Sequence, residues 1–342
     1  MNQDSAEASR ANVIINSSPG VLLSIPDEGE AGKWESTELR HQHAPTLLHA
    51  CVPHIGHAVL FLIITGLLLL LAQVLLLAPL MQHGASPLAV SLRHPKLLLG
   101  SEAATYLLTL TLSWFIFPLL WHHGFLAGIE WRGRTALLLA LKLVSLGMFT
   151  GWTVQGISSL ISMPKTVPLD DFFRSTSDVW LVTIFGTLLA PLFEEIAFRG
   201  FLLPAATIAF DWLGPALRYV FQFSRSRLRG ELPPEHLVIF READPAKPVD
   251  DPGNLAFRSL PALMLASLLT SALFGLLHAQ QLGYTWAAVL LLTGVSLVLT
   301  AVRIRTRSVA CSALVHGSYN LSVFIVLFIA TGGYQHLDRI AH

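Results

Sequence analysis

Seven stretches of the chain are apolar and long enough to be read as membrane-crossing helices, at about 58–80, 103–121, 136–160, 179–210, 260–279, 286–302 and 308–330. A spanning helix needs roughly 20 mainly apolar residues. The first stretch is the most lipid-like, with leucine at every position from Leu67 to Leu71. Lys142 lies near the start of the third, where its long stem can reach the interface. Polar sequence separates these runs unevenly. Residues 1–53 mix acids, Ser, Gly and Pro with few basic residues, the composition of a disordered tail. No signal peptide is expected at the polar start. The one sizeable polar insertion, 211–257, carries Arg225-Ser226-Arg227-Leu228-Arg229 and then an acidic, proline-rich run. It reads as a solvated loop, with contact to substrate or to anionic lipid as the alternative.

Composition agrees with this pattern. The 342 residues are 53% hydrophobic and 13% charged, against about 25% charged in soluble domains. The expected fold is an all-α, multi-pass helical bundle of about seven transmembrane helices surrounded by membrane lipid. Net charge is zero, so nothing points to nucleic acid. Cys51 and Cys311 form no motif. Fifteen Lys and Arg residues fall on the side of the N-terminus and five on the other. By the positive-inside rule the N-terminus is cytoplasmic and the C-terminus lies across the membrane. No internal repeat suggests an inverted-repeat transporter.

Charge inside the fourth stretch changes the picture. Glu194-Glu195-Ile196-Ala197-Phe198-Arg199 sits within an apolar run, where an uncompensated charge costs roughly 2.5–3.5 kcal/mol on insertion scales. On a helix Glu195 and Arg199 are four apart and can pair. Glu194 faces about 100° away, without a partner in its own segment. Two further polar sites lie in other apolar stretches. Phe274-Gly275-Leu276-Leu277-His278 closes the fifth, and His316-Gly317-Ser318-Tyr319-Asn320 lies in the seventh, with His316 and Asn320 on one helical face.

A carboxylate and an imidazole can hold and deprotonate a water. A second imidazole and an amide can donate to an oxyanion. Alternatively Glu194, His278 and His316 could bind Zn²⁺ with an open fourth position. The residue types serve either reading. Other intramembrane protease patterns are missing: the chain has no His-Glu-x-x-His, Gly-x-Gly-Asp or Gly-x-Ser-x-Gly. Two non-enzymatic readings remain. The polar cluster could lock helices together in a membrane scaffold, chaperone or immunity protein, or relay protons in a coupled transporter.

Taken in order, Glu194-Glu195-x-x-x-Arg199, Phe274-x-x-x-His278 and His316-x-x-x-Asn320 resemble the CPBP family of CAAX-prenyl-protease and bacteriocin-processing intramembrane proteases. Phe198-Arg199-Gly200 matches the usual continuation of the first motif. The resemblance covers about 179–330 and implies a four-helix catalytic core within 178–335, preceded by three accessory helices within 54–177. It implies that Glu194 activates water with His278. His316 and Asn320 form the oxyanion hole or complete the polar site, and Glu195, Arg199 and Phe274 are structural or orienting. The implied activity is endoproteolysis of a membrane-associated peptide or prenylated protein. The family's CAAX-type branch implies a glutamate-type enzyme without a catalytic metal, although the family is often labelled metalloprotease.

The helix lengths impose a geometric condition on such a site. Val179 to Glu194 spans about 22 Å of helix, which puts Glu194 near mid-membrane, while His278 falls at the end of its own span. The two meet only if the fifth helix continues past Gln281 or is displaced toward the cytoplasmic side.

Overall fold

The computed structural model describes residues 53–77, 95–161, 173, 175–229 and 259–340. The tail expected over 1–53 lies outside them except for Pro53, as does the insertion beyond Arg229. Among the described residues the protein is helical throughout, without strands. The long helices are α1 (Ile55–Leu77), α2 (Pro95–Trp121), α5 (Ala140–Ser158), α8 (Leu203–Arg229), α9 (Leu260–Leu277), α10 (Trp286–Thr306) and α11 (Val309–Ala330). Short helices α3 (Phe125–Gly128) and α4 (Gly133–Leu138) link α2 to α5. The fourth span begins with α6 (Thr176–Ile184). It passes through a π-helical turn (Phe185–Leu189), α7 (Ala190–Glu195) and a second π-helical turn (Ile196–Leu202), and runs unbroken into α8.

Among the described residues, six helical runs are long and apolar enough to cross a membrane: Ile55–Leu76, Lys96–Trp121, Thr176–Arg229, Leu260–Leu277, Trp286–Thr306 and Val309–Ala330. The third expected span, 136–160, is helical as well, but α5 does not reach the same apolarity. It is held by close packing instead. Gly147 and Gly151 on α5 face α11 directly: a Cβ at Gly147 would stand 2.5 Å from the Val315 carbonyl oxygen, and one at Gly151 would overlap Ser322 Oγ. Small residues spaced by four let helices approach to backbone contact. Gly147→Ala is therefore expected to lower thermal stability in detergent by an overpacking cost of about 1–3 kcal/mol. No side-chain change on α11 relieves that clash, because a carbonyl is the obstacle. Gly151→Ala should be partly relieved by Ser322→Ala; equal behaviour of the two glycines would contradict this packing.

Serine hydroxyls start three of the helices. Ser175, Ser259 and Ser308 accept hydrogen bonds from the Asp178, Ala262 and Cys311 amides, which satisfies donors that a helix N-terminus leaves open. The ends of the bundle are tied by polar contacts. At one end Arg303 forms an ion pair with Glu130 and its Nε donates to the Arg199 carbonyl at 3.3 Å. Ser308 Oγ also donates to the Arg132 carbonyl at 3.3 Å. His57 at the start of α1 meets Trp121 at the end of α2 here, with ring centroids 5.6 Å apart. At the other end Lys96 pairs with Asp178 at 3.1 Å, and the Thr176 hydroxyl donates to the Tyr334 carbonyl at 2.8 Å. The Arg132 and Arg303 segments thus share the end at which α1 starts, and the segment after α11 lies at the opposite end.

The fifth helix meets the geometric condition by displacement. It stops at Leu277, and the chain turns through 278–285 before α10, so continuation past Gln281 does not occur. Instead Ser259, at the start of α9, donates a hydrogen bond to Asp211 of α8. Descending from that shared level, His278 is about 28 Å down α9 and Glu194 about 26 Å down its own span. The two levels match because the fourth span runs well past the point where α9 begins. Residues 211–229, expected from the sequence to be the first part of a loop, are helix.

Candidate active site

Glu194 and Glu195 lie between the two π-helical turns. A π-turn inserts a residue into the helical repeat and re-aims the side chains beyond it; such turns recur at functional sites. The first is docked by α11. Asn320 Nδ2 donates to the Gly186 carbonyl at 2.6 Å, and Gly317 lies so close that a Cβ there would stand 2.8 Å from the Thr187 carbonyl. Asn320→Ala would leave that carbonyl without its donor, a cost of about 1–3 kcal/mol for a buried acceptor. A drop in melting temperature is the expected result, and an unchanged one would contradict this anchoring.

Glu195 is the buried, ion-paired half of the acid pair. Its side chain is fully buried, and Arg199 Nη1 donates to its Oε1 at 2.8 Å. Arg199 Nη2 donates to the Ser296 carbonyl at 2.8 Å and to its hydroxyl at 2.7 Å. The guanidinium also stands 5.3 Å from the Phe274 ring centroid. The Arg199 head group is thus met by α10, α9 and its own helix, as burial of a charge requires.

His316 connects the two acids. Its Nδ1 lies 3.0 Å from Glu195 Oε1 and its Nε2 lies 3.8 Å from Glu194 Oε2. Glu195, paired with Arg199, is an acceptor, so Nδ1 carries the proton and Nε2 faces Glu194. Glu194 differs from its neighbour in exposure: its side chain is 20% accessible. It is the more open of the two carboxylates.

His278 caps α9, with Nδ1 2.8 Å from the Phe274 carbonyl. A carbonyl only accepts, so here too Nδ1 donates and Nε2 is left for chemistry. Phe274 lies against both imidazoles, at 4.7 Å from His278 and 5.7 Å from His316 between ring centroids. The structure therefore joins Glu194, Glu195, Arg199, Phe274 and His316 through direct contacts and brings in His278 through Phe274. Asn320 reaches the array through the π-turn, with one of its two N–H groups committed to Gly186.

Among the described residues no three of His, Cys, Asp and Glu are placed to hold a metal ion together. Both imidazoles spend Nδ1 on protein acceptors and leave Nε2 open.

Two residues of α2 join the site without having stood out in the sequence. Glu102 and Tyr106 lie within electrostatic reach of Glu194, and the Tyr106 ring stacks on Phe193 at 3.9 Å. The apolar run of the second span starts only at 103, which places Glu102 outside the membrane on sequence grounds. The helix in fact begins at Pro95, which puts Glu102 about two turns inside. A lone acid followed by an apolar run is the signal the sequence offers.

Fold and site together define an integral membrane protein of helical type with a buried acid–imidazole–guanidinium array. Residues 176–322 match the family model of the type II CAAX prenyl endopeptidases, Rce1-like. That segment holds Glu194, Glu195, Arg199, Phe274, His278, His316 and Asn320, so the likeness to CPBP proteins read from the motifs is borne out across it. No curated protein and no solved structure matches the chain.

Proposed function

We propose that this protein is an intramembrane endopeptidase that hydrolyses a membrane-associated peptide, with Glu194 as the base. The observation that carries the reading is the asymmetry of the acid pair: Glu195 is consumed by Arg199 and His316, whereas Glu194 is partly accessible beside His316 Nε2. A water held at Glu194 loses its proton to the carboxylate as its oxygen attacks the scissile carbonyl. Negative charge then develops on the carbonyl oxygen. The imidazoles of His278 and His316, each held by a protein acceptor at Nδ1, supply Nε2 to position the water or, when protonated, to donate to that oxygen. Preorganised donors of this kind act strongly where bulk water is excluded. The proton taken by Glu194 passes to the leaving amine. The remaining N–H of Asn320 is a second donor for the oxyanion.

The family match supports one substrate class above others: a peptide carrying a CAAX-type prenylated C-terminus, with an unlipidated peptide precursor as the second candidate. The reading is tested by incubating purified protein in lipid vesicles with a farnesylated CAAX peptide and its unfarnesylated counterpart. Release of the C-terminal residues from the farnesylated peptide alone supports prenyl-dependent cleavage. Equal release from both points to the unlipidated class. Cleavage of neither, with a folded protein, argues for a helix-locking scaffold.

A further inference from the structure

The fourth span is 54 residues long, Thr176–Arg229. At 1.5 Å per residue that is about 81 Å, far more than a bilayer core of about 30 Å. The contact of Asp211 with Ser259 marks where the bundle ends. Beyond it, 212–229 projects about 27 Å.

This projection is two-faced. Leu213, Leu217, Val220, Phe221 and Leu228 fall within an arc of about 100° at helical periodicity, and they are 42–89% exposed. Gln222, Arg225 and Arg229 lie about 90–150° from the centre of that arc on one flank, with Trp212 and Tyr219 at similar angles on the other. Four arginines and no acid occur between 212 and 229. A wide apolar face is unfavourable in water, and basic residues flanking it suit anionic headgroups. The projection leaves the bundle at the end where α4 begins and α10 finishes, which carries Arg132, Arg303, Arg305 and Arg307. That is the end the positive-inside rule assigns to the anionic leaflet.

We propose that 212–229 is an interfacial anchor. It bends at Gly214-Pro215, lays its apolar face into the bilayer surface and holds anionic phospholipid headgroups with its arginines. Glycine next to proline is where a helix bends at least cost. The Arg227 guanidinium stands 5.5 Å from the Phe223 ring centroid, a cation–π contact at the edge of the apolar face. The same continuous helix carries Glu194, so the anchor fixes that span from its end.

The test uses full-length protein in vesicles of phosphatidylcholine alone or mixed with phosphatidylglycerol. Cys51→Ser leaves buried Cys311 as the remaining thiol, and a nitroxide is attached at Phe221→Cys or Gln222→Cys. In anionic vesicles the Phe221 label should collide with lipid-dissolved oxygen and be shielded from an aqueous nickel chelate, with the Gln222 label showing the inverse. High salt, or R225Q/R227Q/R229Q, should reduce this contrast to the phosphatidylcholine level. Three results would overturn the proposal. One is equal water access of both labels in every vesicle. Another is identical contrast with and without anionic lipid. The third is dipolar broadening between labels, which would assign the face to a second copy of the chain.

Discussion

Glu194→Gln is expected to abolish peptide hydrolysis while leaving the bundle folded. The amide keeps the shape of the side chain but cannot take a proton. A positioned general base contributes about 10²–10⁴-fold, and a loss of at least that size in the single-turnover rate is expected. The fold should survive because, among the described residues, the contact of the Glu194 carboxylate is with His316 Nε2 at 3.8 Å, too long for a hydrogen bond. Cleavage rate and melting temperature measured on the same preparation check both halves. A mutant that unfolds would assign Glu194 to the structural cluster, and a mutant that still cleaves would remove it from the chemistry.

Arg199→Met should show the opposite profile. It strips Glu195 of its cation and leaves the Ser296 carbonyl and hydroxyl without their donor. Breaking one side of a buried ion pair costs about 3–5 kcal/mol. Activity should fall through loss of the folded state and through His316, whose Nδ1 leans on Glu195. The double variant Glu195→Gln/Arg199→Met removes both charges and should recover a large part of the lost stability, since an apolar or neutral replacement of a buried pair is often tolerated. Thermal unfolding of the two singles and the double gives the coupling between the residues. Additive losses would show that the pair does not act as a unit.

The contrast between these variants reflects what is legible in the residues. The pairing of Glu195 with Arg199 can be read from spacing alone, because four residues on a helix bring the groups together and burial forces them to meet. The order of the three motifs likewise marks the core that the family match covers. The relative height of His278 and Glu194 is not legible. It depends on where α9 starts against the fourth span, a level marked by the contact between Ser259 and Asp211. The first π-helical turn is also hidden, since it answers to packing by Gly317 and Asn320 rather than to the hydrophobic period. Glu102 escapes because apolar runs blur helix starts. The 212–229 helix resembles a loop because Gly214-Pro215 and the arginines dominate its composition, although its period of apolar positions is present throughout.

The most direct measurement is cleavage of a farnesylated CAAX peptide in ¹⁸O-labelled water by wild type and Glu194→Gln in matched vesicles, read by mass spectrometry. Wild type should place one ¹⁸O in the new C-terminal carboxyl, and Glu194→Gln should yield no product above background. Equal labelled product from both proteins would contradict the assignment of Glu194 as the base.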